Sequence, residues 1–348
     1  MALGNGVEFG IQKALWIGLR DCQQQSVEHS LTYAKAPLTA TSKQACLISL
    51  PTGAGKTGVI AIVAHHAEQR RVLVLCHRTA VRQQLLKEIR GAFFVKTCPG
   101  IEISLKDVFD GVDDLSSEGI YLATFQKLNR LGKDELDLLK QAFDLIIIDE
   151  GHSEPSPVWQ TLVRGGHAHK IVITATPYRN DLFQFDVSPT ASYIYTFAAA
   201  AAINIVKAPR FEVVEEVNIL AIVLAFLRQY PTSKCILKCK NFEKIEEYYR
   251  LFNTETEVLA VHDRYANDPR SNVKTGVPAK LSESVFRVLI HEHKLDEGVD
   301  VPEAKLLVLT YVLGSGRELV QTVGRIVRVS GELEPVVLEF GHPRNFSM

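Results

Sequence analysis

Leu50-Pro51-Thr52-Gly53-Ala54-Gly55-Lys56-Thr57 places two glycines just ahead of a Lys-Thr pair. The run before it, Ala45-Cys46-Leu47-Ile48-Ser49, is short and apolar and reads as a buried strand. The run after it, Gly58-Val59-Ile60-Ala61-Ile62-Val63-Ala64, can continue as a helix. Strand, glycine-rich turn and helix together form the setting that a phosphate-binding loop needs. The first glycine of the loose G-x-x-x-x-G-K-[ST] template is missing, and only Gly53, Gly55, Lys56 and Thr57 fit it. Glycines let successive backbone N–H groups turn toward phosphate oxygens, and the helix N-terminus adds partial positive charge. Thr52, Gly53, Ala54 and Gly55 would then form the cradle. Lys56 would reach the β- and γ-phosphates, and Thr57 would reach a Mg²⁺ ion. The loop implies a nucleotide but not the use made of its energy.

Working outward, residues 11–35 read as a helix, with Leu15, Leu19, Val27 and Leu31 among polar neighbours. Short runs rich in Val, Ile and Leu follow at 45–49, 71–76, 119–124, 145–149 and 170–174. None of them alternates, which is the pattern of a parallel sheet covered on both faces. Alternation of strand and helix restarts in the second half. Helices are expected at 217–228, 242–252 and 318–327, and strands at 234–239, 257–262, 286–291, 305–311 and 335–340. The stretch 263–284 is polar, contains Pro and Gly, and reads as loop with a short helix. Between the halves lies the alanine run 198–202, closed by Pro209. The division that follows is a first domain over 1–195, a bridge over 196–210 and a second domain over 211–348.

The chain has 348 residues, room for two domains, and a formal net charge of −1. With no global basic field, only a local basic patch can steer a polyanion. No apolar run approaches a membrane span, and the N-terminus lacks the basic start and apolar core of a signal peptide. A cytoplasmic protein with no membrane partner is expected. The six cysteines are scattered, which argues for reduced thiols rather than a metal cluster.

Ile146-Ile147-Ile148-Asp149-Glu150-Gly151-His152 ends a strand on adjacent carboxylates. Ligands of an open parallel sheet sit at the carboxyl ends of its strands. Asp149 is there a candidate Mg²⁺ ligand, and Glu150 a candidate base for the attacking water. At this point the chain resembles the superfamily 2 nucleic-acid helicases and translocases of the DExH type. Asp149-Glu150-Gly151-His152 resembles their D-E-x-H box, and the loop at 50–57 resembles their x-T-G-x-G-K-T variant. Thr174-Ala175-Thr176-Pro177 resembles the S/T-A-T motif that links hydrolysis to movement, so Thr174, Thr176 and His152 are expected to act in coupling. Tyr178-Arg179-Asn180-Asp181 is similar to restriction-enzyme motor subunits and related repair helicases. Leu19-Arg20-Asp21-Cys22-Gln23 resembles the upstream Leu-Arg-x-x-Gln element, in which Gln23 would read adenine, its amide donating and accepting side by side. Gln24 and Gln25 are adjacent alternatives.

The second half supplies Gln321-Thr322-Val323-Gly324-Arg325-Ile326-Val327-Arg328, which matches the family's Q-x-x-G-R-x-x-R. Arg325 and Arg328 are read on one side of a helix, facing a γ-phosphate that a guanidinium fork suits; Gln321 would sit near the water. Gly298-Val299-Asp300-Val301-Pro302 resembles part of motif V, with Asp300 near the ribose. Where many members carry Thr-Asp this chain has Glu292-His293, a departure that Lys294 would offset. Expected nucleic-acid contacts are His77 and Arg78 (motif Ia), Thr124 and Phe125 (motif Ib), and Lys294. Phe125 reads equally as a core aromatic. Lys238, Lys240 and Asn241, at motif IV, are weaker candidates.

The resemblance implies an α/β fold of two tandem RecA-like P-loop domains, each a mostly parallel sheet with helices on both faces. It implies ATP and Mg²⁺ in the cleft, and nucleic acid as partner with DNA favoured over RNA. A partner subunit would supply substrate choice or nuclease activity. An RNA helicase, or an ATP-gated assembly module that does not move, remains the alternative.

Overall fold

Val, Ile and Leu on both faces of a strand demand cover on both faces, and the first half of the chain builds such a sheet. The computed structural model describes residues 6–38, 44–77, 79–150, 167–176, 187–188, 190–278, 281, 284–293, 301, 303–329 and 331–347. It falls into two units, Met1–Ala199 and Ala200–Met348. The division lies within the alanine run, which forms the helix Phe197–Ala202.

The first unit holds β1 (Cys46–Ser49), β2 (Arg71–Cys76), β3 (Val108–Asp110), β4 (Gly119–Thr124), β5 (Leu145–Asp149), β6 (His169–Thr174) and β7 (Tyr193–Ile194). Their order is β3-β4-β2-β5-β6-β1-β7, and every pairing is parallel. All carboxyl ends therefore share one edge. On it, Ser49 lies beside Thr174, and Cys76 beside Thr124. The five expected strands match within a residue at each end. The two short edge strands, β3 and β7, were not expected, because two or three residues in mixed sequence carry no pattern.

The second unit repeats the plan with β8 (Arg210–Val214), β9 (Lys234–Lys238), β10 (Val258–Val261), β11 (Val273–Lys274), β12 (Val288–His291), β13 (Ala304–Leu309) and β14 (Val336–Phe340). Their order is β11-β10-β12-β9-β13-β14-β8, again wholly parallel. The supposed loop at 263–284 contributes β11, and the end of the supposed bridge contributes the first residue of β8. All six cysteines are free and buried. Among the described residues no helix is long and apolar enough to cross a membrane.

Two helices differ from expectation. The one expected over 11–35 is broken into Lys13–Ile17 and Asp21–Lys35. A Cβ on Gly18 would meet the Thr97 methyl at 2.9 Å, so a glycine sits at the break. Arg20 is extended there, and its N–H donates to Gln23 Oε1 at 3.2 Å. The helix expected over 318–327 spans Gly316–Val323 and stops at Gly324. Arg325 lies in the following turn, and Arg328 in an antiparallel bridge to Val206, so the two arginines do not share a helix face.

The helix Lys56–His66 is buried from Gly58 to His65, which its apolar sequence requires. Its C-terminal end is closed by Lys106, whose Nζ donates to the carbonyls of Ala64, Ala67 and Gln69 at 3.2, 2.6 and 2.9 Å. A cation there complements the helix dipole. His65 sits beside it: Nδ1 accepts from the Lys106 N–H at 3.0 Å, and Nε2 lies 2.9 Å from the Ile89 carbonyl. Nε2 therefore carries the proton of a neutral ring. Burial pushes the imidazole down from its ordinary value to about 4. Below the unfolded value of 6.5 the unfolded chain takes up this proton first, so stability falls as pH drops from 6.5 toward 4. The full cost is about 3 kcal/mol. His65→Gln keeps one donor and one acceptor and should flatten that slope. Melting temperatures that fall in parallel for both proteins over this interval would remove His65 as the cause.

Candidate nucleotide-binding site

The loop after β1 holds Gly53 and Gly55 at φ +90° and +95°, a region that side chains avoid. Gly55 caps the helix Lys56–His66, so the turn delivers Lys56 and Thr57 into its first residues. The loop is braced from behind by the helix Asp21–Lys35. Gln23 Nε2 donates to the Gly55 carbonyl at 3.1 Å, and Arg20 Nη1 to the Gly53 carbonyl at 2.8 Å. A Cβ on Gly55 would lie 2.5 Å from Gln23 Nε2, so loop and glutamine are in direct contact. This separates the glutamines. Gln24 is spent on the Trp16 carbonyl at 2.7 Å, whereas Gln23 lies against the loop.

Lys56 Nζ lies 3.1 Å from Glu150 Oε1, with side chains 13% and 24% exposed. Glu150 follows β5 in a left-handed turn at φ +52°, which aims its carboxylate across the sheet edge. Its second oxygen accepts from the Thr174 hydroxyl at 3.2 Å, and the Ala175 N–H stands at 3.5 Å. Thr174 Oγ1 in turn accepts from the Thr176 N–H at 3.1 Å. Lysine, glutamate and the Thr174-Ala175-Thr176 segment thus form one hydrogen-bonded chain. Asp149, 8% exposed, ends β5 beside it. The donors fit a magnesium nucleotide: backbone N–H groups and an ammonium for phosphate, and the hard oxygens of Thr57 and Asp149 for Mg²⁺.

In the second unit Gln321 lies on the helix Gly316–Val323 and is part-buried. Arg325 follows in a turn closed by its own N–H on the Thr322 carbonyl at 3.2 Å. The Arg328 carbonyl accepts from Lys305 Nζ. Glu292, past β12, is held between two imidazoles, 3.0 Å from His262 Nε2 and 3.3 Å from His293 Nε2.

Residues 17–179 match the family described as "Type III restriction enzyme, res subunit". The chain is 23% identical over 345 residues to "Putative helicase 22" of Sulfolobus islandicus filamentous virus (isolate Iceland/Hveragerdi). That alignment covers 82% of this chain but 58% of the viral protein's length. A solved fragment of "a putative HsdR subunit of a type I restriction enzyme from Vibrio vulnificus YJ016" is similar at TM-score 0.67 and 21% identity, covering 99% of this chain and 70% of that one. S. cerevisiae Dbp5, "bound to RNA and ADP BeF3", is similar at TM-score 0.64 and 13% identity, covering 98% and 90%. The chain is thus similar in sequence, over its first half, to restriction-enzyme res subunits, and in fold to these solved proteins. Its two seven-stranded parallel sheets match the fold of tandem RecA-like helicase domains.

Of the site residues expected from sequence, Arg78, His152, Lys294 and Asp300 lie outside the described residues. Of the remaining nucleic-acid candidates, His77 and Thr124 do reach the carboxyl edge, at the ends of β2 and β4. Thr124 caps the next helix, its hydroxyl accepting from the Lys127 N–H at 3.2 Å. Phe125 must be corrected. It is 6% exposed within the core cluster, and its ring centroid lies 5.0 Å from that of His77, so it has no free face for a base. Lys238 is corrected too, being wholly buried against Glu318 at 3.0 Å. Asn241 caps a helix by accepting from the Lys244 N–H at 3.0 Å. Sequence reading missed Arg20 as a brace of the loop. Its signal was its place in the Leu-Arg-x-x-Gln element, which puts it at the N-cap of the helix that carries Gln23.

Proposed function

We propose that this chain is an ATP-hydrolysing motor on nucleic acid, with DNA preferred. The observation that carries this is the Lys56–Glu150–Thr174 connection at the strand ends. Lys56 and the N–H groups of Thr52, Gly53, Ala54 and Gly55 hold the phosphates. Thr57 and Asp149 hold Mg²⁺, which supplies charge neutralisation at the phosphates when bound. A triphosphate in the loop competes with Glu150 for Lys56. The carboxylate so released, still fixed by Thr174, accepts the proton of the attacking water. Gln321 orients that water, Arg325 and Arg328 stabilise the charge that develops on the phosphoryl group, and Asp300 contacts the ribose. Because Thr174 bonds both Glu150 and Thr176, a change at the carboxylate is felt along the Thr174-Ala175-Thr176 segment. That is a route from hydrolysis to movement.

The restriction-enzyme family match over 17–179 and the Tyr178-Arg179-Asn180-Asp181 resemblance favour DNA. The same match favours a partner subunit that sets the substrate. His77 and Thr124 would touch the strand backbone without reading sequence. A non-moving assembly module draws support from Glu292, a carboxylate where a phosphate contact is expected. An ATPase assay across single-stranded DNA, duplex DNA and single-stranded RNA tests all three. We expect the strongest stimulation by DNA. Stimulation by RNA alone overturns the substrate, and stimulation by none leaves the assembly module.

Gln23, braced on Gly55, would set the base preference. Gln23→Ala should weaken ATP against GTP by about tenfold to a hundredfold, the value of one or two hydrogen bonds in a formed site. Competition between the two nucleotides measures it, and an unchanged preference rules out adenine reading.

A further inference from the structure

A lysine at the end of β9, the middle strand of the second sheet, is wholly buried. Lys238 Nζ lies 3.0 Å from Glu318 Oε1 and 3.3 Å from the Thr322 hydroxyl. Glu318 and Thr322 are four residues apart, on one face of the helix Gly316–Val323. Glu318 is fixed on three further sides. The Tyr311 hydroxyl donates to Oε1 at 2.8 Å, the Gly314 N–H donates to Oε2 at 2.9 Å, and its own N–H donates to Ser315 Oγ at 3.2 Å. Burial opposes the charge on this carboxyl, but the Gly314 N–H, Lys238 and Tyr311 outweigh it and hold the group below its ordinary value. The carboxyl is therefore ionised at neutral pH. His291 lies beside Lys238 on β12 and is also wholly buried; burial, with the Lys238 and Arg325 charges next to it, keeps it neutral.

An apolar side chain of the same volume would fill this space at lower desolvation cost. It would lose two directed bonds to a single helix face. That face lies next to Gln321, and the Thr322 carbonyl closes the turn that carries Arg325.

We propose that Lys238 is a positioning residue for hydrolysis: by gripping Glu318 and Thr322 it sets the height and rotation of this helix, and so the placement of Gln321 on it and of Arg325 in the turn after it. The inference rests on the role proposed above for those two residues. It predicts a loss confined to kcat. A shift of about 1 Å in a reacting group can cost about a hundredfold.

The test is steady-state ATP hydrolysis by the full chain, with melting curves alongside. Lys238→Met/Glu318→Gln removes both charges together, so no lone buried charge remains. It should stay folded and lose about tenfold to a hundredfold in kcat, with KM for ATP within about twofold. Thr322→Val, isosteric and uncharged, deletes one anchor and should cost about threefold. In an Arg325→Lys background the doubly neutral change should add less than about twofold, since the residue it positions is already impaired. Unchanged kcat in both folded variants overturns the proposal, and so does a full additional loss on Arg325→Lys. If Arg325→Ala itself hydrolyses ATP at the normal rate, the nucleotide role of the arginine fails instead, which is a separate result.

Discussion

Glu150→Gln should bind ATP at least as well as the unaltered protein and turn it over about 10²- to 10⁴-fold more slowly. The substitution is isosteric, so the backbone at φ +52° and the bond from Thr174 can both persist. Two things change. The amide has no basic oxygen with which to take a proton from water. It also carries no charge to hold Lys56, which now sits 3.1 Å from the carboxylate. A phosphate entering the loop need no longer displace Glu150 from the lysine. Binding and hydrolysis should therefore move in opposite directions, which a simple loss of folding cannot imitate. A fluorescent ATP analogue titrated against the variant measures the first, and phosphate release the second. Hydrolysis within tenfold of the original rate would take the base role away from Glu150. Equal loss of binding and hydrolysis would mean that the substitution had disturbed the loop.

Why some of this was visible in the sequence and some was not follows from the physics of each element. The central strands announced themselves because burial on both faces forces an unbroken run, as in Leu145–Asp149. The loop was visible because a left-handed turn needs glycine at the positions occupied by Gly53 and Gly55. Edge strands such as Tyr193–Ile194 left no trace, since one neighbour and a few residues impose little on composition. The break before Arg20 was hidden for a different reason. The glycine beside it, Gly18, answers to Thr97, far along the chain, and no local pattern records such an approach. Arg325 and Arg328 were misplaced on a helix because their spacing of three suits one; Gly324 decided otherwise. Lys238 was misread for the opposite reason. A lysine after an apolar run ordinarily reaches solvent, and only the fold reveals Glu318 and Thr322 waiting for it. Within the candidate site, then, the residue types were legible, while their partners were tertiary and were not.

Arg325→Ala should lower kcat by about 10³- to 10⁵-fold while leaving KM for ATP nearly unchanged. Lys56, Gly53 and Gly55, which would hold the ground-state nucleotide, belong to the first unit, and Arg325 belongs to the second. Deleting it removes nothing from the loop that binds substrate. What is lost is charge placed where the transferring phosphoryl group becomes more negative, an interaction made in the transition state alone. Arg325→Lys separates charge from geometry. An ammonium keeps the charge but offers no planar fork, so recovery should be partial at best. The side chain springs from a turn whose own N–H is closed on Thr322, a backbone bond that neither substitution touches, so both variants should melt close to the unaltered protein. If nucleic acid stimulates hydrolysis by bringing this arginine into play, Arg325→Ala should also lose most of that stimulation, and its residual rate should be the same with and without DNA. A variant that still responds fully to DNA would show that stimulation enters through the first unit. The chain Thr176–Thr174–Glu150 would then be the element to test next, by Thr174→Val, which removes the bond to the carboxylate and leaves the arginine in place.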